Sequence, residues 1–421
     1  MQRILIYRSE LLAYSETFIA AQAAAMRAYT PVFAGLRRAP RSLPLPARSF
    51  LVSQDDTLVE RLRRLAFLSF GQAPALLASL RRQHPVLLHA HFAIDAAEAL
   101  PLARSLAIPL VVTLHGYDVM AEDGAHRASR RGRVYLRRRQ QLFRQASLFL
   151  CVSQAIREKA LERGFPSGKL HVLPIGIDVS LHHPAPVQQQ APAVLFVGRL
   201  VEKKGCVHLI HAMGEVQRVL PGARLVVVGD GPERATLEAE AARCTTGTEF
   251  AGVQSREQVR QWMALSRVLA VPSVTARDGD AEGLPTVLYE AMAMALPVAC
   301  SRSSGIPELV RDGLEGLLSD EGDEAGLARN LLRLCQDEAL AARLGAAGRQ
   351  RVESRFELGA QTALLESIYT EQIAVAGLGR TTRPGWPGPR VADRNRRSPG
   401  ERHLQGPPAL AEAPAPPEAT A

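Results

Sequence analysis

The sequence predicts an α/β protein built from two doubly wound parallel-sheet domains that face each other across a cleft. Three observations carry this. Short, almost wholly apolar runs alternate with longer helical patterns, as expected of strands covered by helices on both faces. The alternation runs through twice, broken once by the polar, Pro- and Gln-rich stretch 182–193, which has the composition of a linker. The length, 421 residues, suits two or three domains with a core each.

Taken in order, the strand runs are 3–7, 86–90, 110–114, 148–152 and 170–173 before the linker, and 193–197, 224–228, 268–271 and 297–300 after it. Longer helical stretches separate them, so each half reads β-α-β-α, and sheets of this kind bind ligands at the carboxyl ends of their strands. After the first run, Ser15, Glu16 and Thr17 open a helix at that edge, with Ser15 as its N-cap. The predicted units are an N-terminal domain 1–181, the linker 182–193, a second domain 194–374 closed by a C-terminal helix, and a tail 375–421. Gly, Pro, Arg and Ala dominate the tail. With few large apolar residues it cannot offset its ordering entropy and is expected to be disordered.

Composition excludes several classes. The 47% apolar and 22% charged content is that of a soluble globular chain. There is no apolar run long enough for a membrane span, and Met1 leads straight into a strand run without an apolar leader. The expectation is a cytoplasmic protein. The five cysteines (Cys151, Cys206, Cys244, Cys300 and Cys335) are scattered without a C-x-x-C pair, which argues for a reducing compartment and against a zinc site. The net charge is +9, yet only Lys159, Lys169, Lys203 and Lys204 are lysines. Such arginine bias fits a GC-rich genome and is poor evidence of nucleic-acid binding. The charge is unevenly spread: residues 1–181 hold 25 Lys and Arg against 13 Asp and Glu, whereas 182–374 hold 19 against 25.

The most informative stretch is Asp280-Ala-Glu282-Gly283-Leu284-Pro285-Thr286-Val-Leu-Tyr-Glu290. Pro285 suits the first position of a helix, and Gly283 permits close backbone approach. Free N–H groups around Leu284 to Val287 then form an anion site for a phosphate or diphosphate. Glu290, in the second turn, suits a vicinal diol, and Glu282 lies nearer whatever is attached beyond the phosphates. Two glutamates near a helix start also fit a purely electrostatic role. Arg199 and Lys204, in the loop after the run 193–197, are able to neutralise a diphosphate and stabilise it as a leaving group. They fit an ordinary solvated loop equally well. Val228-Gly229-Asp230-Gly231-Pro232 departs from a dinucleotide fingerprint, because proline follows and no third glycine falls in register.

Together, V-G-R-L-V-E-K-K-G, V-V-V-G-D-G-P, F-A-G, V-P-S, E-G-L-P-T-V-L-Y-E-A-M-A and S-G-I-P-E-L-V-R-D-G-L-E-G resemble the retaining nucleotide-sugar glycosyltransferases of family 4. The resemblance implies the GT-B architecture of two Rossmann-like domains. It also implies that Arg199 and Lys204 bind the donor diphosphate, Glu290 the ribose, and Glu282 the transferred sugar. His115-Gly116-Tyr117-Asp118, after the run 110–114, matches a His-Gly pair that in the family faces the donor sugar and supports an oxocarbenium-like transition state. That role passes to His115, with Asp118 supporting it. S-E-T-F-I, H-A-H-F and H-G-Y-D further resemble bacterial exopolysaccharide transferases of the colanic-acid and amylovoran type. Two departures stand out. Arg8 to Tyr14 replace a Gly-Gly loop, and Ala295 replaces a glycine, which is expected to tighten local packing.

His89 and His91, two apart on a strand, point the same way. They fit a metal pair, but no third ligand is near in sequence, so a cleft-lining, acceptor-binding role is preferred. Ser15, Glu16, Thr17 and Asp118 join them as acceptor or cleft candidates. No metal-ligand cluster is evident, so the expected chemistry is metal-independent and cofactor-free, with a UDP- or GDP-linked sugar as donor. The basic residues Arg127, Arg130, Arg131, Arg133, Arg137, Arg138, Arg139 and Arg144, with Arg61, Arg63 and Arg64, fit either a solvated face or an anionic membrane surface bearing a lipid-linked diphosphate acceptor. A nucleotide-sugar epimerase or a non-catalytic donor-binding scaffold are the alternatives. A phosphorylase is disfavoured by the scarcity of lysine for a pyridoxal group.

Overall fold

The structure, a computed structural model, describes residues 1–14, 16–40, 42–44, 49–184 and 193–378. Ser15, most of the predicted linker and nearly all of the predicted tail lie outside these. Residues Met1–Leu378 form one compact unit holding two large parallel sheets and a two-stranded parallel pair, Glu10–Leu11 with Arg37–Arg38. The first runs Ser49–Leu51, Tyr29–Gly35, Gln2–Tyr7, Pro85–His91, Leu110–Leu114, Leu148–Cys151, Leu170–Val172. The second runs Thr248–Gly252, Arg224–Val228, Ala193–Val197, Val268–Val271, Val298–Ser301, Leu317–Ser319. In both, the order reverses beside the first strand. That leaves one switch point between Gln2–Tyr7 and Pro85–His91 and another between Ala193–Val197 and Val268–Val271, each a crevice suited to a ligand.

The apolar runs form central strands because both faces are covered. Leu5 and Tyr7 face one buried layer and Ile4 and Ile6 the other. In the second sheet Val194 and Phe196 oppose Leu195 in the same way. Each side chain so buried contributes about 1.5–3 kcal/mol. The strands Tyr29–Gly35, Ser49–Leu51, Thr248–Gly252 and Leu317–Ser319 were not expected from the sequence. All lie at or next to sheet edges. The first three carry partly exposed residues, with proline and glycine in Tyr29–Gly35 and glycine in Thr248–Gly252, which blur the apolar pattern. Leu317–Ser319 is buried but only three residues long.

Two boundaries differ from expectation. The first helix covers Thr17–Ala25, with Glu16 at the N-cap and no side-chain cap bond. The last helix, Leu358–Leu378, runs past the predicted tail start at 375. It also does not close the second domain. It returns to the first sheet, where Leu365 and Tyr369 are wholly buried beside Ile4, Ile6 and Leu87. Glu366 fastens it there by accepting from the backbone N–H groups of Arg27, Ala28 and Tyr29 at 2.7–3.1 Å. The crossing is pinned where Ile177 N–H donates to the Phe356 carbonyl and Leu358 N–H to the Ile177 carbonyl, at 2.8 and 3.0 Å.

The two domains also touch directly. Glu308 of the second accepts from the N–H groups of Gln154 and Ala155 at 2.7 and 2.8 Å, capping the helix Gln154–Glu162 of the first. Tyr14 Oη donates to the Gln254 carbonyl, and Glu122 N–H to the Asp278 carbonyl at 2.9 Å. Among the arginines of the basic segment, three are committed inward: Arg131 to Asp95 and Glu98, Arg138 to backbone carbonyls, and Arg139 to Asp123. Among the described residues no helix is long and apolar enough to cross a membrane.

Candidate functional site

Both switch points open into the space between the domains. In the second domain the strand Ala193–Val197 leads into a loop through Arg199 to the single turn Glu202–Lys204. Gly205 ends this turn with φ +62°, and a Cβ there would collide with the Pro272 carbonyl, so only glycine lets the loop fold back this tightly. The result sets Arg199 and Lys204 at the edge of a cavity of about 300 Å³, together with Arg256, Arg260, Thr286 and Glu290. Tyr14, Thr17 and Phe18 of the first domain close its far side.

The helix behind the motif spans Thr286–Ala293, so Pro285 is its N-cap and the helix starts one place later than expected. The N–H groups of Thr286 and Val287 in its first turn have no intrahelical partners, whereas that of Leu288 donates to the Pro285 carbonyl at 3.1 Å. Leu284 and Pro285 are buried, Leu284 in the second domain's core. Gly283 sits against the first domain: a Cβ on it would strike the His115 carbonyl. Glu282 is buried beside the cavity, its Oε2 3.0 Å from Lys204 Nζ. Its Oε1 has no hydrogen-bond partner, with Lys203 Nζ 3.8 Å away, and Lys203 also bonds Asp280 at 3.1 Å. Burial pushes the Glu282 carboxyl up, but Lys204, Lys203 and Arg199 outweigh it and hold the group below its ordinary value. Glu290 is the opposite case. Burial raises it to about 7, and Arg256 and Arg260 offset only part of that.

On the first-domain side, His115 packs between Phe18 and Phe92, at centroid distances of 4.9 and 4.6 Å. Its Nε2 lies 3.0 Å from His91 Nδ1. Burial, then Arg8 and His89, drive its pKa well down; burial and the neighbouring His89, His115 and Arg8 do the same to His91. Both rings are therefore neutral at ordinary pH, and one donates to the other.

Three cleft candidates take other positions. His89 faces inward, with Nδ1 2.6 Å from Tyr369 Oη and Nε2 2.7 Å from Thr113 Oγ1. Burial lowers it to about 3. Its alternation with His91 on the strand is as expected, but the returning last helix covers it, so it lines no cleft. Asp118 is likewise buried and accepts from the N–H groups of Ala93, His115 and Gly116 at 2.8, 3.2 and 3.1 Å. Burial raises it to about 6 despite those bonds. It shapes the His115 loop instead of meeting a ligand. Glu16 gives both oxygens to Arg8, at 2.8 and 2.6 Å.

Residues that the sequence pattern did not single out complete the site. Arg8 also bonds Asp95 and lies over the Phe92 ring at 4.5 Å. Arg131 joins Asp95 to Glu98, so the loop replacing the expected Gly-Gly pair is built on buried, paired charge. Two acids one turn apart inside the apolar A-I-D-A-A-E-A-L were the available signal. For Arg256 and Arg260, the signal was their i,i+4 spacing behind the Ser255–Gln258 capping box. Chemically, the cavity offers clustered cations and a helix start for an anion and a carboxyl for paired hydroxyls, with the ionised Glu282 carboxylate held on Lys204 beside it.

Comparison with known proteins identifies the family and the fold. Residues 181–351 match the family described as glycosyl transferases group 1, and residues 21–181 match glycosyltransferase family 4. The chain is 31% identical over 297 residues to an amylovoran biosynthesis glycosyltransferase of Erwinia amylovora, covering 67% of this chain and 70% of that one. It is 32% identical over 284 residues to a GDP-mannose-dependent alpha-(1-6)-phosphatidylinositol monomannoside mannosyltransferase of Mycolicibacterium smegmatis, covering 64% and 72%. The Anabaena protein HepE, solved in complex with UDP and glucose, superposes with a TM-score of 0.70 over 88% of this chain and all of that one, at 20% identity. That last likeness is one of fold.

Proposed function

This chain belongs to the group 1 and family 4 glycosyltransferases, with the GT-B fold of a hexosyltransferase, and from that premise we propose that it moves a hexose, with retention of configuration, from a nucleotide-diphospho-sugar to a glycan or lipid-linked saccharide in cell-surface polysaccharide assembly. The observation that carries the reading is the gathering of Arg199, Lys204, Thr286 and Glu290 around one cavity, with the Lys204–Glu282 pair beside it. The polysaccharide setting follows the amylovoran relative.

In this reading Arg199, Lys204 and the helix start at Thr286 hold the donor diphosphate. Glu290 accepts from the ribose diol. The unpartnered Oε1 of Glu282 accepts from the sugar, and the His115 loop supports the positive charge that develops at the anomeric carbon. The acceptor hydroxyl attacks from the face the phosphate leaves. The bond from the anomeric carbon to the phosphate oxygen breaks, the bond to the acceptor oxygen forms, and the departing phosphate oxygen takes the hydroxyl proton. Protein cations neutralise the diphosphate, so added Mg²⁺ or Mn²⁺ leaves turnover unchanged; a strict requirement for either would overturn that point.

Work at the inner face of the plasma membrane is part of the proposal. Supporting it, the helix Leu58–Phe70 turns Leu58, Val59, Leu62 and Phe70 to solvent beside Arg61 and Arg63, and Arg130, Arg133, Arg137 and Arg144 are exposed on a neighbouring helix. Apolar anchors rimmed by arginine suit an anionic bilayer. Co-sedimentation with anionic but not neutral vesicles, weakened by Leu62→Glu, is the expected result.

The decisive experiment incubates the protein with a panel of UDP- and GDP-sugars, with and without a membrane-lipid extract, and follows the anomeric carbon by NMR. Transfer that needs the extract and keeps the donor's configuration is expected. Inversion would overturn the retaining mechanism. An isomerised donor formed without acceptor would favour an epimerase, and binding without turnover a scaffold.

A further inference from the structure

The outer layer of the second domain contains a side-chain cluster that the transfer reaction does not use. The helix Cys206–Val219 packs against both Arg234–Cys244 and Glu324–Gln336. At their junction His211 Nε2 lies 2.9 Å from Glu240 Oε1, and Cys244 Sγ lies 3.3 Å from the same oxygen. The three donor atoms are within 4.8 Å of one another. On its other side, His211 Nδ1 lies 2.8 Å from Glu324 Oε1, which also meets His208 Nδ1 at 2.9 Å.

We propose that His211, Glu240 and Cys244 form a zinc-binding site that ties the two helices together, with Glu324 orienting His211 from the third. The donor set is imidazole, carboxylate and thiolate, a borderline-soft mixture that suits Zn²⁺ and not Mg²⁺ or Ca²⁺. Bond lengths of about 2.0–2.3 Å put neighbouring tetrahedral ligands roughly 3.3–3.6 Å apart. The observed 2.9 and 3.3 Å contacts need adjustments of about half an ångström to reach that. Glu324 on the far imidazole nitrogen is the carboxylate–histidine–metal arrangement that fixes the tautomer and raises ligand basicity. Partial exposure leaves the fourth position to water.

On binding, the Cys244 thiol and any protonated His211 release their protons to solvent, and the metal–thiolate and metal–imidazole bonds replace the two hydrogen bonds to Glu240. No oxidant or reductant is involved. Because the helix Cys206–Val219 directly follows Lys204 and Gly205, fixing it also stiffens the base of the cation-bearing loop. His211 and Glu240 are 29 positions apart and Glu240 and Cys244 four, so no cysteine spacing announces the site.

The test uses the full chain, stripped with a chelator and dialysed, then titrated with Zn²⁺ and with Co²⁺ as a spectroscopic probe. One bound equivalent, a thiolate-to-Co²⁺ charge-transfer band and a rise in Tm with Zn²⁺ are expected. Cys244→Ser should remove the band and His211→Ala the Zn²⁺-dependent rise in Tm, with circular dichroism confirming that both remain folded. Glu324→Gln should weaken Zn²⁺ binding by about 10- to 100-fold, and the control Cys335→Ser should leave it intact. Absence of the band in the native chain, or stoichiometric Zn²⁺ binding that survives in both Cys244→Ser and His211→Ala, would overturn the assignment.

Discussion

Glu282 and Glu290 stand eight positions apart on the two sides of one helix start, and their surroundings drive their acidities in opposite directions. Lysines 203 and 204 keep Glu282 ionised, while burial lifts Glu290 to about 7. Glu282 is thus a permanent acceptor, and removing it or its partner leaves the other as an uncompensated charge. Glu282→Gln and Lys204→Ala should each lower turnover by at least about 100-fold, with unchanged circular dichroism. Near-native turnover in either would remove it from the site. For Glu290 the sign runs the other way from a salt-bridged acid. Below about pH 7 it carries a proton, so one oxygen is a donor and the neutral group is a weaker acceptor for the ribose hydroxyls; above it the carboxylate accepts with both oxygens. Donor affinity measured by calorimetry should therefore rise with pH through that value, and Glu290→Gln should flatten the profile. At this scale the motif residues Arg199, Lys204, Glu282 and Glu290 were legible in the sequence, since each lies within a few residues of the turn that presents it. His89 and Asp118 do not reach the cleft as the sequence pattern suggested, because burial depends on what packs over a side chain; Asp118 instead bonds the His115 and Gly116 N–H groups.

At the scale of the element, the helix Thr286–Ala293 ends in a motif that ordinarily takes glycine. Leu296 N–H donates to the Ala291 carbonyl and Ala295 N–H to that of Met292, with Ala295 at φ +56°. The alanine there is strained in the left-handed region, a different consequence from the tighter packing expected of it. Ala295→Gly should stabilise the fold by about 1 kcal/mol, the strain relieved less the entropy added to the unfolded chain, read by urea unfolding. No gain would mean that the methyl's contacts offset the strain. The last helix makes a second element-level prediction. Tyr369→Phe leaves His89 Nδ1 without its 2.6 Å partner in the interior, which should cost about 1–3 kcal/mol with little effect on donor binding. A helix at the end of the second domain was expected from the sequence; its destination was not.

For the whole molecule, the contact between domains is part of the site. Gly283 lies against the His115 carbonyl so closely that a methyl group has no room, and Glu308 caps a helix of the opposite domain. Gly283→Ala should hold the domains apart at this point, lowering kcat by about 100-fold while the Tm changes little. Retained kcat would show that the transfer step tolerates a wider cleft. The central strands, the cation loop and the glutamate helix are written in runs of a few residues, because apolar period, glycine and proline act over one or two turns of chain. The amino-acid sequence by itself determines those features. The return of Leu358–Leu378 to the first sheet, the inward turn of His89 and the meeting of His211 with Glu240 and Cys244 have no local signature. Each depends on which buried faces meet, and that is settled by the summed packing of segments far apart in the chain.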